Sequence, residues 1–271
     1  MLNRELKNES IERLSFAELL YGRTKKGLIA MSERLYNERR LLNISINEKW
    51  EILNHLKHKP ADLKLSVQII AEEVGEYEKL VEEVNNEARI LINKKISSNS
   101  KTDITHNEIV SMATTFASII PGLKKDNKAI TQVTFNWLIA DFILPVKLLA
   151  RGMMYFSSLL FPLNFVYENY SNKSKAMRIQ NQALAYRNEQ KLLMRSIGEV
   201  RELIDLTMES RKGINSLMNE IGPLIKLNDY SIENIKKDRD LLSLLGTLVN
   251  LLHTSSIILN KKVGDIDESI F

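Results

Sequence analysis

The chain of 271 residues contains no cysteine and only ten glycines and five prolines. Without cysteine, a disulfide framework, a thiol nucleophile and a cysteine–zinc site are all excluded. Glycine and proline together are present at about half of their usual share of about 12%. Because barrels and sandwiches need many tight turns, so few turn residues argue against both and favour long helices.

The sequence motifs of common enzymes are also missing. The glycines are isolated, so the chain has neither a GxxxxGK[ST] nor a GxGxxG phosphate-binding loop, and no GxSxG nucleophile elbow. The carboxylate pairs Glu72–Glu73 and Glu82–Glu83 fall on the polar flank of a regular helical pattern, which is typical of solvated surface. We therefore predict that the chain is not an enzyme, has no catalytic residue and binds no cofactor.

The four histidines offer one arrangement with metal-ligand spacing. His55 and His58 lie at i and i+3 of a predicted helix with Glu51 one turn earlier, but no third histidine is near. Basic side chains at a helix C-terminus interact favourably with the helix dipole, and these histidines, with Lys57 and Lys59, fit that role. We therefore predict no metal site.

Charge of one sign is not in large excess. The 38 Lys and Arg and 34 Asp and Glu leave a net charge of +4, and the basic runs Lys25–Lys26 and Lys124–Lys125 are short. Nucleic-acid-binding proteins concentrate basic residues on one face, so we predict no nucleic-acid partner. The N-terminal sequence MLNRELKNESIERLSF is charged throughout and does not resemble a secretory signal.

Hydrophobic periodicity is the strongest positive signal in the sequence. Apolar residues follow steps of four and three from Leu63 to Leu91, and again from Leu193 to Ile225, where only Thr207 and Arg211 are polar. Less regular patterns indicate two further helices. The four predicted helices cover residues 63–96, 176–221 (beginning near 173), 26–58 and 231–262.

The predicted helix lengths determine the expected shape. At about 1.5 Å per residue the 63–96 helix is about 50 Å long and the 176–221 helix about 70 Å. A compact chain of this size is only roughly 48 Å across. We therefore expect an all-α fold, an elongated antiparallel bundle of long, coiled-coil-like helices. The alternative is a compact bundle whose long helix breaks at Gly198 or Gly213.

The segment 129–167, which we call the head segment, differs in composition from the rest. It holds five of the eight phenylalanines and one of the two tryptophans, and its only charges are Asp141, Lys147 and Arg151. The two cations would fall in the middle of a single membrane span, where charge costs most. A hairpin places them at its turn instead.

The hairpin interpretation gives the head segment two apolar arms, 132–146 and 152–167, and the chain a division into head and rod. The rod comprises residues 1–128 and 168–271 as one bundle. An end of a rod has few neighbours to cover so many apolar residues, and large exposed apolar patches mark partner or membrane contacts. The alternative is that the head segment is buried in the core, as in other helices that are apolar all round.

Aromatic rings suit the membrane–water boundary, and long cations extend to lipid headgroups. The residues predicted to contact a membrane are Phe135, Trp137, Phe142, Lys147, Arg151, Tyr155, Phe156, Phe161, Phe165 and Tyr167.

This order of features resembles the alpha-helical pore-forming toxins of the cytolysin A and xenorhabdolysin type, which are helical rods with a hydrophobic head between two long helices. The matching features are the 63–96 helix, the 129–167 head segment and the 173–222 helix. The resemblance implies a soluble protomer that exposes its head near a membrane, inserts it and oligomerises. It implies a role in virulence. It also implies secretion without a cleavable signal peptide followed by action at a target-cell membrane; the alternative location is the cytoplasm.

The chain departs from this family in two respects. It is shorter than typical two-component members, and Lys147 and Arg151 interrupt the head segment. Both departures suit a component that relies on a second helical subunit as well as on the lipid membrane. Two alternative interpretations remain: an intracellular helical scaffold or adaptor whose apolar segment is buried by a partner or a dimer, and a dynamin-like stalk separated from its nucleotide domain.

Overall fold

Helices account for almost all of the structure. A computed structural model describes four stretches of the chain, residues 2–97, 103–119, 126–139 and 172–262. These residues form α1 (Leu2–His55), α2 (Ala61–Ser97), α3 (His106–Ile119), α4 (Asn127–Ile139), α5 (Asn172–Leu227), α6 (Ile232–Ile235) and α7 (Arg239–Asn260). The prediction of an all-α fold is confirmed for this part of the chain.

Helices α1 and α5 form the frame of the molecule and run in the same direction. Cross-contacts advance together along both helices, from Ser10–Gln180 through Glu38–Arg211 to Ser45–Asn215. At about 1.5 Å per residue these helices are about 81 Å and 84 Å long, more than the width of a compact chain of this size. A bundle whose consecutive helices alternate in direction makes every second helix parallel, so this pair is compatible with the predicted antiparallel bundle.

The other helices alternate in direction around this frame. Trp50 Nε1 donates to the carbonyl of Val67 at 2.8 Å and Asn43 contacts Glu78 at 2.9 Å, so α2 runs back along α1. Helix α7 likewise returns along α5, since Leu251 packs on Gly213. Consecutive long helices are therefore antiparallel, as short connections require.

Side-chain caps fix where the shorter helices begin. Thr105 and Glu108 form a capping box at α3, in which the Thr105 N–H donates to the Glu108 carboxylate and the Glu108 N–H to Thr105 Oγ1. Asp126 accepts from the N–H of Ala129 at the start of α4. Asp238 accepts from two N–H groups at α7. This last cap separates α6 from α7, so the single helix predicted over 231–262 is in fact two.

Helix α1 begins much earlier than the predicted helix 26–58 and ends slightly sooner, at His55. Its N-terminal buried positions are Ser10 and Ala17, both fully covered. Because serine and alanine add little to a hydrophobic pattern, periodicity did not detect this half of the helix. The predicted helices over 63–96 and 176–221 correspond to α2 and α5, and α5 continues unbroken through Gly198 and Gly213.

Two hydrophobic clusters succeed one another along the frame. The first joins α3 and α4 to α1, α2 and α5, and includes Leu28, Met112 and Ile204. The second joins α6 and α7 to the same three helices, and includes Leu42 and Leu248. The frame is therefore covered by α3 and α4 over one length and by α7 over the next.

The polar members of the α5 seam are accommodated by hydrogen bonds. Thr207 is fully buried and donates to the carbonyl of Leu203 at 2.6 Å. Arg211 reaches across to Glu38 on α1 at 2.9 Å. Each of the two side chains thus has a hydrogen-bond partner, although Arg211 Nε makes none, and the seam continues through both positions without interrupting the helix.

The predicted boundary between rod and head falls inside α4. Residues 129–139 of the head segment belong to this helix, which packs in the first cluster. The remaining residues, 140–167, lie outside the described residues. The division into rod and head therefore stays a prediction.

We expect Leu42→Ala to lower the free energy of unfolding by about 2–5 kcal/mol, because a fully buried leucine leaves a cavity in the second cluster. The neighbouring Leu41 is 39% exposed, so Leu41→Ala is the matched control and should change stability by about 0.5 kcal/mol or less. Urea denaturation followed by circular dichroism measures both. Equal losses in the two variants would contradict this packing.

Candidate membrane-contact site

The structure describes two of the predicted membrane-contact residues, Phe135 and Trp137, both on α4. The other eight lie outside the described residues: Phe142, Lys147, Arg151, Tyr155, Phe156, Phe161, Phe165 and Tyr167. Trp137 is 2% exposed and Phe135 9% exposed. In this conformation the start of the head segment is thus covered by the bundle, and its contact with lipid stays a prediction that requires α4 to move.

Aromatic packing holds α4 against α3. The rings of Phe116 and Trp137 meet edge to face, with centroids 5.5 Å apart and planes at 74°. Such pairs contribute about 0.5–1.5 kcal/mol beyond the area that they bury. The contact places Trp137 in the α3–α4 interface.

Lys25 of α1 holds the C-terminal end of α4. Its Nζ donates to the carbonyl of Trp137 at 2.8 Å and lies 4.7 Å from the centre of the indole ring. The last carbonyls of a helix have no partner inside the helix and carry partial negative charge, so a cation stabilises them. One lysine therefore caps α4 and makes a cation–π contact with it.

Two polar contacts hold the first turn of α4 to α2. Asn127 Nδ2 donates to Glu83 Oε2 at 2.6 Å, and Lys128 Nζ lies 4.0 Å from Glu87 Oε1. Lys128 is largely exposed, so its ion pair contributes little. Helix α4 is thus tethered by polar groups at its two ends and by apolar packing between them.

The interior of the α3–α4 pair is rich in small hydroxyl side chains. Six are buried: Ser111, Thr114, Thr115, Ser118, Thr131 and Thr134. On α4, Thr131 donates to the carbonyl of Asn127 at 2.7 Å and Thr134 to that of Ile130 at 2.8 Å. Because both hydroxyls of α4 bond within their own helix, that helix keeps these hydrogen bonds if it leaves the bundle.

A buried arginine fixes the C-terminal end of α3. Arg39 of α1 is 3% exposed and donates to Ser118 Oγ and to the carbonyl of Lys261, the latter at 2.9 Å. Burial lowers the pKa of Arg39 to about 10. Within the described stretches no carboxylate forms an ion pair with it, and its Nε has no hydrogen-bond partner. The bundle therefore contains a buried guanidinium charge that no described anion neutralises.

The structure also describes the histidine pair with metal-ligand spacing and the most apolar of the long helices. His55 ends α1, whereas His58 lies beyond it with a φ of 56°, so they do not share a helical face. Among the described helices, α7 has the length and apolar composition of a membrane span. Its side chains Leu245, Leu248 and Leu252 are buried in the second cluster, which is the environment of a core helix.

Sequence reasoning did not identify Lys25 and Arg39 as members of this site. In the sequence Lys25 is half of a short basic pair, and Arg39 lies in the charged run NERR. Nothing in either pattern distinguishes these cations from solvated ones, because their partners are backbone carbonyls and a serine more than 75 residues away.

Comparison of the chain with protein-family models, with curated proteins and with solved structures finds no match. Its function is therefore inferred from the geometry of the site and from the sequence.

We expect Arg39→Met to be as stable as the wild type or more stable, by up to about 4 kcal/mol, because it removes an unneutralised buried charge and keeps most of the volume. Arg39→Ala should be less stable than Arg39→Met by about 2–5 kcal/mol, since it leaves a cavity. Chemical denaturation of the two variants measures the difference. If Arg39→Met is as strongly destabilised as Arg39→Ala, the hydrogen bonds of the guanidinium outweigh its burial cost.

Proposed function

We propose that this protein is a membrane-interacting helical protein, a pore-forming toxin subunit that inserts residues 129–167 into a bilayer and oligomerises. The observation that carries the proposal is the attachment of α4, which holds the start of the head segment. This helix is packed in the bundle by apolar contacts, and its two buried hydroxyls bond within the helix itself. Such a helix loses few polar interactions when it exchanges a protein environment for lipid.

The aromatic side chains of α4 can lie in three environments: the protein core, water and lipid. Exposing Trp137 or Phe135 to water costs about 1.5–3 kcal/mol for each side chain. Transfer from the protein core to lipid avoids that cost, because lipid tails are as apolar as the core. Release of α4 is therefore unfavourable in water and much less so beside a membrane, which makes the lipid surface the trigger.

The polar contacts at the ends of α4 set the barrier to release. Lys25 must give up the carbonyl of Trp137, and Asn127 must give up Glu83. Each is a net loss of about 1–3 kcal/mol, which the transfer of Trp137 and Phe135 from core to lipid leaves in place as the barrier. In the proposal, Lys147 and Arg151 of the head segment reach the lipid headgroups, and a second helical subunit or further copies of this chain complete the pore.

This function places the protein outside the producing cell, exported without a cleavable signal peptide, and then at a target-cell membrane. A second candidate is an intracellular helical scaffold or adaptor. The burial of Trp137 by the protein itself favours it, since a helix that never leaves the core needs no membrane. The two candidates differ in whether Trp137 reaches lipid.

Trp137 can report its own environment, because the chain has only two tryptophans. We expect the Trp50→Phe variant, in which Trp137 is the sole tryptophan, to lose about half or more of its fluorescence with vesicles of brominated phospholipids, since bromine quenches only indole rings that contact the acyl chains.

The Trp137→Phe variant, which retains Trp50, is the matched control and should be quenched no more by brominated than by ordinary lipids. Trp50 is suited to this role because it donates to the carbonyl of Val67, in the second cluster away from α4. Trp137 emission that stays the same with and without vesicles would contradict insertion and favour the scaffold.

A further inference from the structure

The frame helices extend beyond the other described helices at one end. Tyr21 and Tyr186, whose ring centroids are 5.4 Å apart, lie at the edge of the first cluster. Before them the buried residues, Ala17, Ala176 and Ala183 among them, belong to neither cluster. Among the described residues, the N-terminal parts of α1 and α5 therefore pack mainly on each other.

We call residues 2–26 of α1 and 172–191 of α5 the N-terminal end of the frame. Lys25, which contacts the last turn of α4, lies at its inner limit. The described part of the head segment ends at Ile139, in the last turn of α4. The next described residue is Asn172, the first residue of α5. Both attachment points of residues 140–171 are thus at this end of the molecule.

Large apolar side chains are exposed on the N-terminal end. Phe16 is 55% exposed and is the sole aromatic among the exposed large hydrophobic residues of the described chain. The set at this end comprises Leu6, Ile11, Phe16, Leu19, Met177 and Leu184, each more than 40% exposed. Together they provide apolar surface at one end of the frame that a partner or a membrane can cover.

The same end carries the positive charge of the protein. Residues 2–26 and 172–191 contain eleven Lys and Arg and five Asp and Glu, a net charge of +6. The whole chain has +4, so the rest carries −2. Glu189, the sole acidic residue of 172–191, is buried, so the exposed acidic groups of this end all lie on α1.

We propose that the N-terminal end of the frame is a docking surface for an anionic lipid bilayer. Exposed apolar side chains enter the boundary between headgroups and acyl chains, and basic side chains bind lipid phosphates and carboxylates. The two observations, exposed apolar residues and concentrated positive charge, occur at the same end of the frame. The proposal deepens the membrane function above, because docking at this end brings both attachment points of the head segment to the membrane.

The test measures cosedimentation of the full chain with sealed vesicles of equal parts phosphatidylcholine and phosphatidylserine, and with vesicles of phosphatidylcholine alone. We expect binding to the anionic vesicles only, weakened by added salt because the attraction is electrostatic. In Arg187→Glu/Lys191→Glu, two exposed cations of α5 are reversed, and the affinity should fall by about tenfold or more.

The matched control reverses two exposed cations at the opposite end, in Lys57→Glu/Lys236→Glu, so that the net charge of the two variants is equal. This control should bind like the wild type. Phe16→Ser should weaken binding as well, whereas Ile257→Ser, at a residue 44% exposed on α7, should not. Equal loss of binding in both charge variants would overturn the proposal, because net charge and not this end would then determine binding.

Two further results separate docking from insertion and from self-association. Phe156→Asp/Phe161→Asp, which changes only the head segment, should still bind anionic vesicles even where insertion fails; loss of its binding would overturn docking by the frame. Light scattering without lipid tests whether a second copy of the chain, instead of lipid, covers this surface. If the wild type fails to bind vesicles but forms a dimer that Phe16→Ser dissociates, the surface is a contact between copies and the lipid proposal is wrong.

Discussion

Helices α1 and α5 lie side by side in one direction, so both N-termini are at the same end of the frame. The other described features depend on this register. It divides the frame into three lengths. One is covered by α3 and α4, the next by α7, and on the third, among the described residues, α1 and α5 pack mainly on each other. An antiparallel pairing would separate the start of α5 from the start of α1, and the positive charge would not be concentrated at one end.

The part of the bundle that holds α4 differs in its bonding from the part that holds α7. Helix α7 is buried through leucines and isoleucines in the second cluster. Helix α4 is held by apolar packing of Ile130, Phe135 and Trp137 and by polar contacts at its ends, while its buried hydroxyls bond within the helix. Nearby, Arg39 adds a buried charge with no described anion to balance it. Local stability is lowest where buried groups are least well matched by their partners. We therefore propose that the bundle opens most readily at the first cluster.

Much of the fold could be predicted from the sequence, and the limits have physical causes. The seam of α2 from Val67 to Leu91 is buried as its periodicity requires. The start of α1 was not detected, because its first buried residues, Ser10 and Ala17, add little to a hydrophobic pattern. The direct pairing of α1 with α5 was not predicted, since periodicity identifies a packing face but not the helix that covers it. Within the candidate site, composition identified Phe135 and Trp137 as unusual, but Lys25 gave no signal because it bonds a distant carbonyl.

The central claim is that the head segment enters a bilayer, and labelling of single cysteines tests it directly because the chain has none of its own. An environment-sensitive dye is attached in Phe161→Cys and, as a control at the opposite end, in Leu227→Cys, at a residue 79% exposed. With anionic vesicles our account predicts that the dye at position 161 becomes brighter and blue-shifted and is quenched by lipid-borne quenchers, whereas the dye at position 227 is unchanged. Identical behaviour of the two dyes would contradict it.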